Sequence, residues 1–227
     1  MRVVVVRHHG IDSAGFISAA FEAQGAELAV RLWPDDGPLP ALDGVDHVVV
    51  LGAVSSVNDP DPWIAGELAW LRAADEARVP VLGICFGAQA ICAAFGGQVE
   101  AMPSQEIGWR LVDSADHELV PAGPWLEFHG DRCLPDATAT VLARNDVGVQ
   151  AFRLGRHLAV QFHPEVDGPQ LKLWLDAGGY EDAERLGLDP DQFLADTIRE
   201  EPAARDRAGR LVAAALRLGA EGSPCET

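Results

Sequence analysis

The first strand-forming segment, Arg2 to Arg7, is a run of valines with no polar alternation. Successive side chains of a strand point to opposite faces of a sheet, so such a run has to be covered on both sides. Further strand segments follow at Leu28 to Leu32, Val45 to Leu51 and Val79 to Ile84. They alternate with helical patterns at Gly15 to Gln24 and at Pro62 to Ala77, the latter with Ile64, Leu68, Leu71 and Ala74 on one face. This order predicts an α/β domain, a doubly wound and mostly parallel sheet flanked by helices. From about residue 98 to 160 the pattern reads as shorter β segments with turns, carrying Glu106 to Val112, Ala139 to Ala143 and Gln150 to Arg153. Past Gly178-Gly179 the chain turns charged and helical, with Phe193, Leu194, Ile198, Leu211, Val212, Leu216 and Leu218 spaced for one face. We therefore expect one domain over 1–177 and a helical C-terminal extension over 178–227, packed on that domain or on a partner.

The 17 Lys and Arg against 35 Asp and Glu give a formal net charge of −18. That acidity argues against nucleic acid or an anionic membrane as partner. No window has the continuous apolar length of a membrane span. Cys85, Cys92, Cys133 and Cys225 show no metal-ligand spacing and no dense framework, and Met1-Arg2 runs straight into a strand. The expectation is a cytoplasmic protein with reduced thiols, without metal or cofactor.

Chemistry enters at Leu82-Gly83-Ile84-Cys85-Phe86-Gly87-Ala88-Gln89. Glycines two residues either side of Cys85 let a strand turn sharply into a helix, because side chains at 83 or 87 would collide in so tight a bend. The thiol is left at the tip, facing the first unpaired N–H groups of the helix that starts near Phe86 and reaches to about Phe95, which favours the thiolate. A second apolar strand ends in Gln161-Phe162-His163-Pro164-Glu165. His163 and Glu165 are two apart in extended chain and point to one face, so His163 can take the thiol proton while Glu165 orients and steadies the imidazolium. A lone cysteine is by default a small core hydrophobe, and Cys92, two helical turns on, is read that way. Gln89, one turn after Cys85, can reach the pocket mouth. Gly52, Cys85 and His163 each follow a strand, and open α/β sheets bind ligands at those carboxyl ends. His8 and His9 have no partner in sequence and read as structural or solvent-facing. His129 reads as shaping the floor of the site, and His47, His117 and His157 as surface.

These segments, with Glu106-Ile107-Gly108-Trp109, resemble in order and spacing the motifs of class I, triad-type glutamine amidotransferases, flavodoxin-like in architecture. The resemblance spans roughly residues 1 to 177 and is closest to the free-standing branch similar to the glutaminase half of GMP synthase. Gly52-Ala53-Val54-Ser55-Ser56-Val57-Asn58-Asp59 resembles that branch's Gly-Gly-Pro-x-Ser-Val-Asn-Asp loop, and Phe128-His129-Gly130-Asp131 its His-Gly-Asp segment. The resemblance implies Cys85, His163 and Glu165 as catalytic triad and backbone N–H groups at Ala53 and Phe86 as oxyanion donors. It implies Gly52, Gln89, Gly108 and Trp109 as substrate-binding positions. Ala53 and Val54 replace the second Gly and the Pro of the family loop, which bears on the loop's geometry. The implied substrate is glutamine or a γ-glutamyl compound, with released ammonia passing to an acceptor or synthetase subunit on another chain. A γ-glutamyl peptidase, a silent regulatory protein on the same scaffold and an oxidation-sensing cysteine protein are the other readings.

Overall fold

A computed structural model describes residues 1–221; Cys225 lies outside the described residues. In chain order the elements are β1 (Arg2–Arg7), α1 (Gly15–Ala23), β2 (Glu27–Leu32), β3 (His47–Val50), α2 (Pro62–Glu76), β4 (Val81–Ile84) and α3 (Phe86–Ala94). There follow β5 (Gln98–Ser114), β6 (Gly123–Leu134), β7 (Thr140–Asn145), β8 (Gly148–Leu154) and β9 (His157–Val160). The chain then runs through α4 (Gly168–Trp174), a wide turn of helix at Leu175–Gly179, α5 (Tyr180–Arg185) and the long α6 (Pro190–Glu221).

All nine strands form one sheet in the order β2-β1-β3-β4-β9-β8-β6-β5-β7. From β2 to β9 every pairing is parallel. From β9 onward every pairing is antiparallel, and β7 pairs back onto β8, closing that half on itself. The expected mostly parallel sheet is thus parallel over one half only. The segments read as short are also long: β5 has 17 residues and β6 has 12. Their pairing shifts register between Ala101 and Glu106, and exposed polar residues interrupt their apolar pattern, so no continuous strand shows in the sequence.

The valine run of β1 divides between two cores, as a strand covered on both faces must. Val3 and Val5, with Val49, Leu51, Leu82 and Ile84, meet α1 through Phe16, Ile17 and Phe21 and α6 through Ala208, Leu211 and Val212. Val4 and Val6, with Val48, Val50 and Val81, meet α2 and α3 on the opposite face through Ile64, Leu71, Phe86 and Ile91. Leu211 and Val212 of α6 are fully buried, each contributing about 1.5–3 kcal/mol. The stripe on α6 splits, because its first turns, at Phe193, pack on Ile107, Leu126 and Leu171 beneath the site, while Ile198 is exposed. His47 and His157 are not surface residues. His47 packs on the Phe21 ring and His157 on Phe95, with His157 Nε2 3.2 Å from the Asp75 carboxylate. Among the described residues no helix is long and apolar enough to cross a membrane.

Candidate active site

The neighbouring parallel strands β3, β4 and β9 end at the same edge, and Gly52, Cys85 and His163 follow those ends within one to three residues. Cys85 has φ 53° and ψ −107°, a left-handed conformation costly for a residue with a Cβ, on the order of 1–3 kcal/mol. The surroundings enforce it. A Cβ on Gly83 would sit 2.5 Å from the Gly87 carbonyl oxygen, and one on Gly87 would sit 2.2 Å from that of Val50. The Cys85 N–H donates to Val160 O at 2.9 Å, tying the elbow to β9. No side chain caps the first turn of α3, so the Phe86 N–H is one of the unpaired donors beside the thiol.

His163 Nδ1 lies 2.7 Å from Glu165 Oε1, and the backbone N–H of His163 donates to Leu126 O at 2.8 Å. The ring stands edge-on to Trp174 at 4.8 Å. Glu165 is held through its backbone, whose carbonyl accepts from Phe16 N–H at the start of α1 at 3.0 Å. Gly15 is required there, because a Cβ would meet that carbonyl oxygen at 2.0 Å. His163 Nε2 makes no hydrogen bond of standard geometry to the protein. Burial opposes charge on the ring, but the Glu165 carboxylate and the Cys85 sulfur outweigh it and raise the His163 pKa well above the ordinary imidazole range. A Cβ built on Gly52 would lie 3.2 Å from His163 Cε1 and 3.9 Å from Cys85 Sγ, so both groups converge on this loop.

A cavity of about 580 Å3 opens over them, lined by Gly52, Ala53, Cys85, Gln89, His163 and Glu165 among others. Gln89 is buried, its amide nitrogen 3.5 Å from Asp131 O and from Gln161 Oε1. The structure does not bring Gly108 and Trp109 to this cavity. Trp109 turns toward α6, donating from Nε1 to Thr197 Oγ1 at 2.9 Å, and Gly108 lies beside Leu188 and Arg110. Ile107 and Trp109 share one face of β5 and pack with Phe193 and Leu194 at the start of α6.

Phe128–Asp131 line the cavity instead, with Ser56 donating to Asp131 Oδ2 at 2.5 Å. His129 anchors this segment. Nδ1 donates to Asp131 O at 2.8 Å, and Nε2 lies 3.1 Å from Glu106 and 3.2 Å from Glu127. Burial disfavours its charge, but the two carboxylates prevail and push its pKa up to about 10. Glu106, Glu127 and His129 could each offer a ligand atom to one metal ion, yet the imidazolium already serves as the cation between the carboxylates. Asp12 and Ser13 also line the cavity, as do Trp174 at the end of α4, Gly178, and Asp182 of α5. Sequence reasoning missed these residues: they sit on loops and short helices remote from the motifs in sequence, and only the folded chain brings them within reach.

A strained cysteine elbow, a buried His-Glu pair and a concave mouth thus meet on one edge of an α/β sheet. Residues 14–173 match the family model described as glutamine amidotransferase class-I, and the chain belongs to that family. It is similar to GMP synthase (glutamine-hydrolysing) of Brucella melitensis, 36% identical over 112 residues, which cover 42% of this chain and 22% of the relative. The Brucella ovis protein of the same description gives the same figures. The match thus spans about a fifth of those relatives' length. A solved glutamine amidotransferase from Thermotoga maritima superposes with a TM-score of 0.86 at 25% identity, covering 95% of this chain and 98% of its own. One from Methylobacillus flagellatus shares the fold at TM-score 0.86 and 24% identity, covering 96% and 94%.

Proposed function

We propose that the protein hydrolyses the γ-amide of glutamine through Cys85, His163 and Glu165. The observation that carries this is the meeting of Cys85 and His163 at Gly52, with Glu165 bonded to the far side of the imidazole. The Cys85 thiolate adds to the γ-carbonyl carbon, and the oxyanion accepts from the Ala53 and Phe86 N–H groups. His163 then gives its proton to the amide nitrogen, which leaves as ammonia, and a γ-glutamyl thioester remains. A water molecule, deprotonated by His163, adds to the thioester; glutamate departs and the thiol is restored. Gln89 and the Phe128–Asp131 wall hold the amino-acid end. The likeness to GMP synthases supports transfer of the ammonia to an acceptor on a separate synthetase chain.

A second reading, hydrolysis of γ-glutamyl amides with a larger leaving amine, is favoured by the cavity. Its volume of about 580 Å3 is in the range of sites that bury drug-sized ligands, roughly 300–1,000 Å3. Ammonia release from glutamine, measured beside amine release from γ-glutamyl dipeptides, separates the two. A diazo-ketone analogue of glutamine is expected to label the protein once, at Cys85. Labelling spread over Cys92, Cys133 and Cys225 would remove the glutamine pocket from the argument.

A further inference from the structure

We infer that His8 and Glu67 are a positioning pair that orients the Gly52–Ala53 peptide and thereby aims the Ala53 N–H at the oxyanion. The inference rests on the hydrolytic reading above. His8 Nδ1 lies 2.9 Å from Gly52 O, and Nε2 lies 2.9 Å from Glu67 Oε2 and 3.2 Å from Oε1. The Glu67 side chain is 0% exposed and that of His8 is 4% exposed. Neither side chain lines the cavity.

Both ring nitrogens face acceptors, a carbonyl oxygen and a carboxylate. Both must therefore carry a proton, so His8 is an imidazolium with Glu67 as its counter-ion. Burial works against this charge, and the Glu67 hydrogen bond and charge outweigh it to raise the His8 pKa. The ring cannot swing away, because Trp63 packs on it at 5.3 Å and Phe86 at 4.9 Å.

The peptide plane transmits the restraint. In a trans peptide the C=O and the following N–H point in opposite directions. With Gly52 O bonded to His8, the Ala53 N–H points away from His8, and it has no protein acceptor among the described residues. The loop that carries it abuts Cys85 and His163. One ring thus touches both proposed donor sites, bonding the peptide before Ala53 and packing on Phe86. It also gives Ala53 and Val54 a reason to be tolerated where the resembled loop has Gly and Pro. Here a buried side chain, rather than backbone stiffness, sets the peptide.

The test compares His8→Phe, His8→Asn and Glu67→Gln with the native enzyme. His8→Phe keeps an aromatic ring between Trp63 and Phe86 but removes the donor. Because it strands the Glu67 carboxylate, the double variant His8→Phe/Glu67→Leu is measured beside it. The expected result is a kcat for glutamine about 10²- to 10³-fold lower, the size of losing one oxyanion donor, with KM within about twofold. Alkylation of Cys85 by iodoacetamide forms no oxyanion, and its rate should stay near native. His8→Asn offers an amide N–H close to the Nδ1 position and should recover most of kcat. Glu67→Gln can donate to Nε2 of a neutral ring that keeps its proton on Nδ1, and should remain within about tenfold of native. Native kcat in both His8→Phe backgrounds overturns the inference, and so does a loss that falls equally on kcat and alkylation. A crystal structure of the double variant tests it without turnover: an unmoved Gly52–Ala53 peptide refutes it. Absence of native turnover on every γ-glutamyl substrate refutes the hydrolytic reading instead, and leaves that structural arm to decide this one.

Discussion

Replacing Glu165 by glutamine isolates one charge from one shape. Glu165 Oε1 is 2.7 Å from His163 Nδ1 and both side chains are buried, so little water screens the pair. At an effective dielectric of about 20, unit charges 4 Å apart attract by roughly 4 kcal/mol. At about 1.36 kcal/mol per decade, removing that attraction accounts for a loss of up to about 10³-fold. The amide keeps one hydrogen bond, which reduces the loss, but Oε2 has no protein partner, so an NH2 group placed there is unpaired. Turning the amide round makes it donate to Nδ1 and strands the proton on Nε2, where the ring can no longer take the Cys85 proton. The expected loss in kcat/KM is therefore about 10²- to 10⁴-fold. Cys85→Ala should fall to background, and His163→Ala nearly so. Steady-state ammonia release gives the ranking, with thermal melting to show that each variant folds. The pH profile adds a sign. Glu165 is the strongest influence raising the His163 pKa against burial, so without its charge the imidazolium is lost at lower pH, and the alkaline limb of Cys85 alkylation should move down. A folded Glu165→Gln variant as dead as Cys85→Ala would give Glu165 a direct chemical part that this mechanism withholds. An unmoved alkaline limb would show that the two residues are not coupled.

Burial lowers the His47 pKa to about 4, so between about pH 6.5 and 4 the unfolded chain binds a proton that the native one refuses, and stability falls as the pH falls. The full effect is about 3 kcal/mol at 1.36 kcal/mol per unit. The drop in Tm from pH 7.5 to 4.5 should accordingly be smaller in His47→Leu than in the native protein, and parallel curves would contradict this. Gly87→Ala drives a Cβ to 2.2 Å from Val50 O and should cost about 1–3 kcal/mol or more, lowering Tm by several degrees and displacing Cys85 enough to cut kcat. A variant with native Tm and kcat would mean that α3 does not press on β3 at this point.

Local patterns carry what local physics decides. The valine run of β1 demanded cover on both faces, and the two cores supply it. The spacing of Gly83, Cys85 and Gly87 required a bend without side chains, and the contacts a Cβ would make there give the steric reason. His163 and Glu165, two residues apart, could bond each other without help from distant chain. What the sequence left open depends on long-range pairing. The antiparallel half returns β7 onto β8 and hides β5 within broken polarity, so neither its length nor the direction of Trp109 toward α6 could be read from residues 98–114. His8 has no neighbour in sequence that explains it; Glu67 reaches it from another element, 59 positions on. Side-chain spacing reports which face a residue takes within its own element. Which other element comes to meet that face is decided only when the sheet closes, because packing, not propensity, selects among the partners a buried polar group can find.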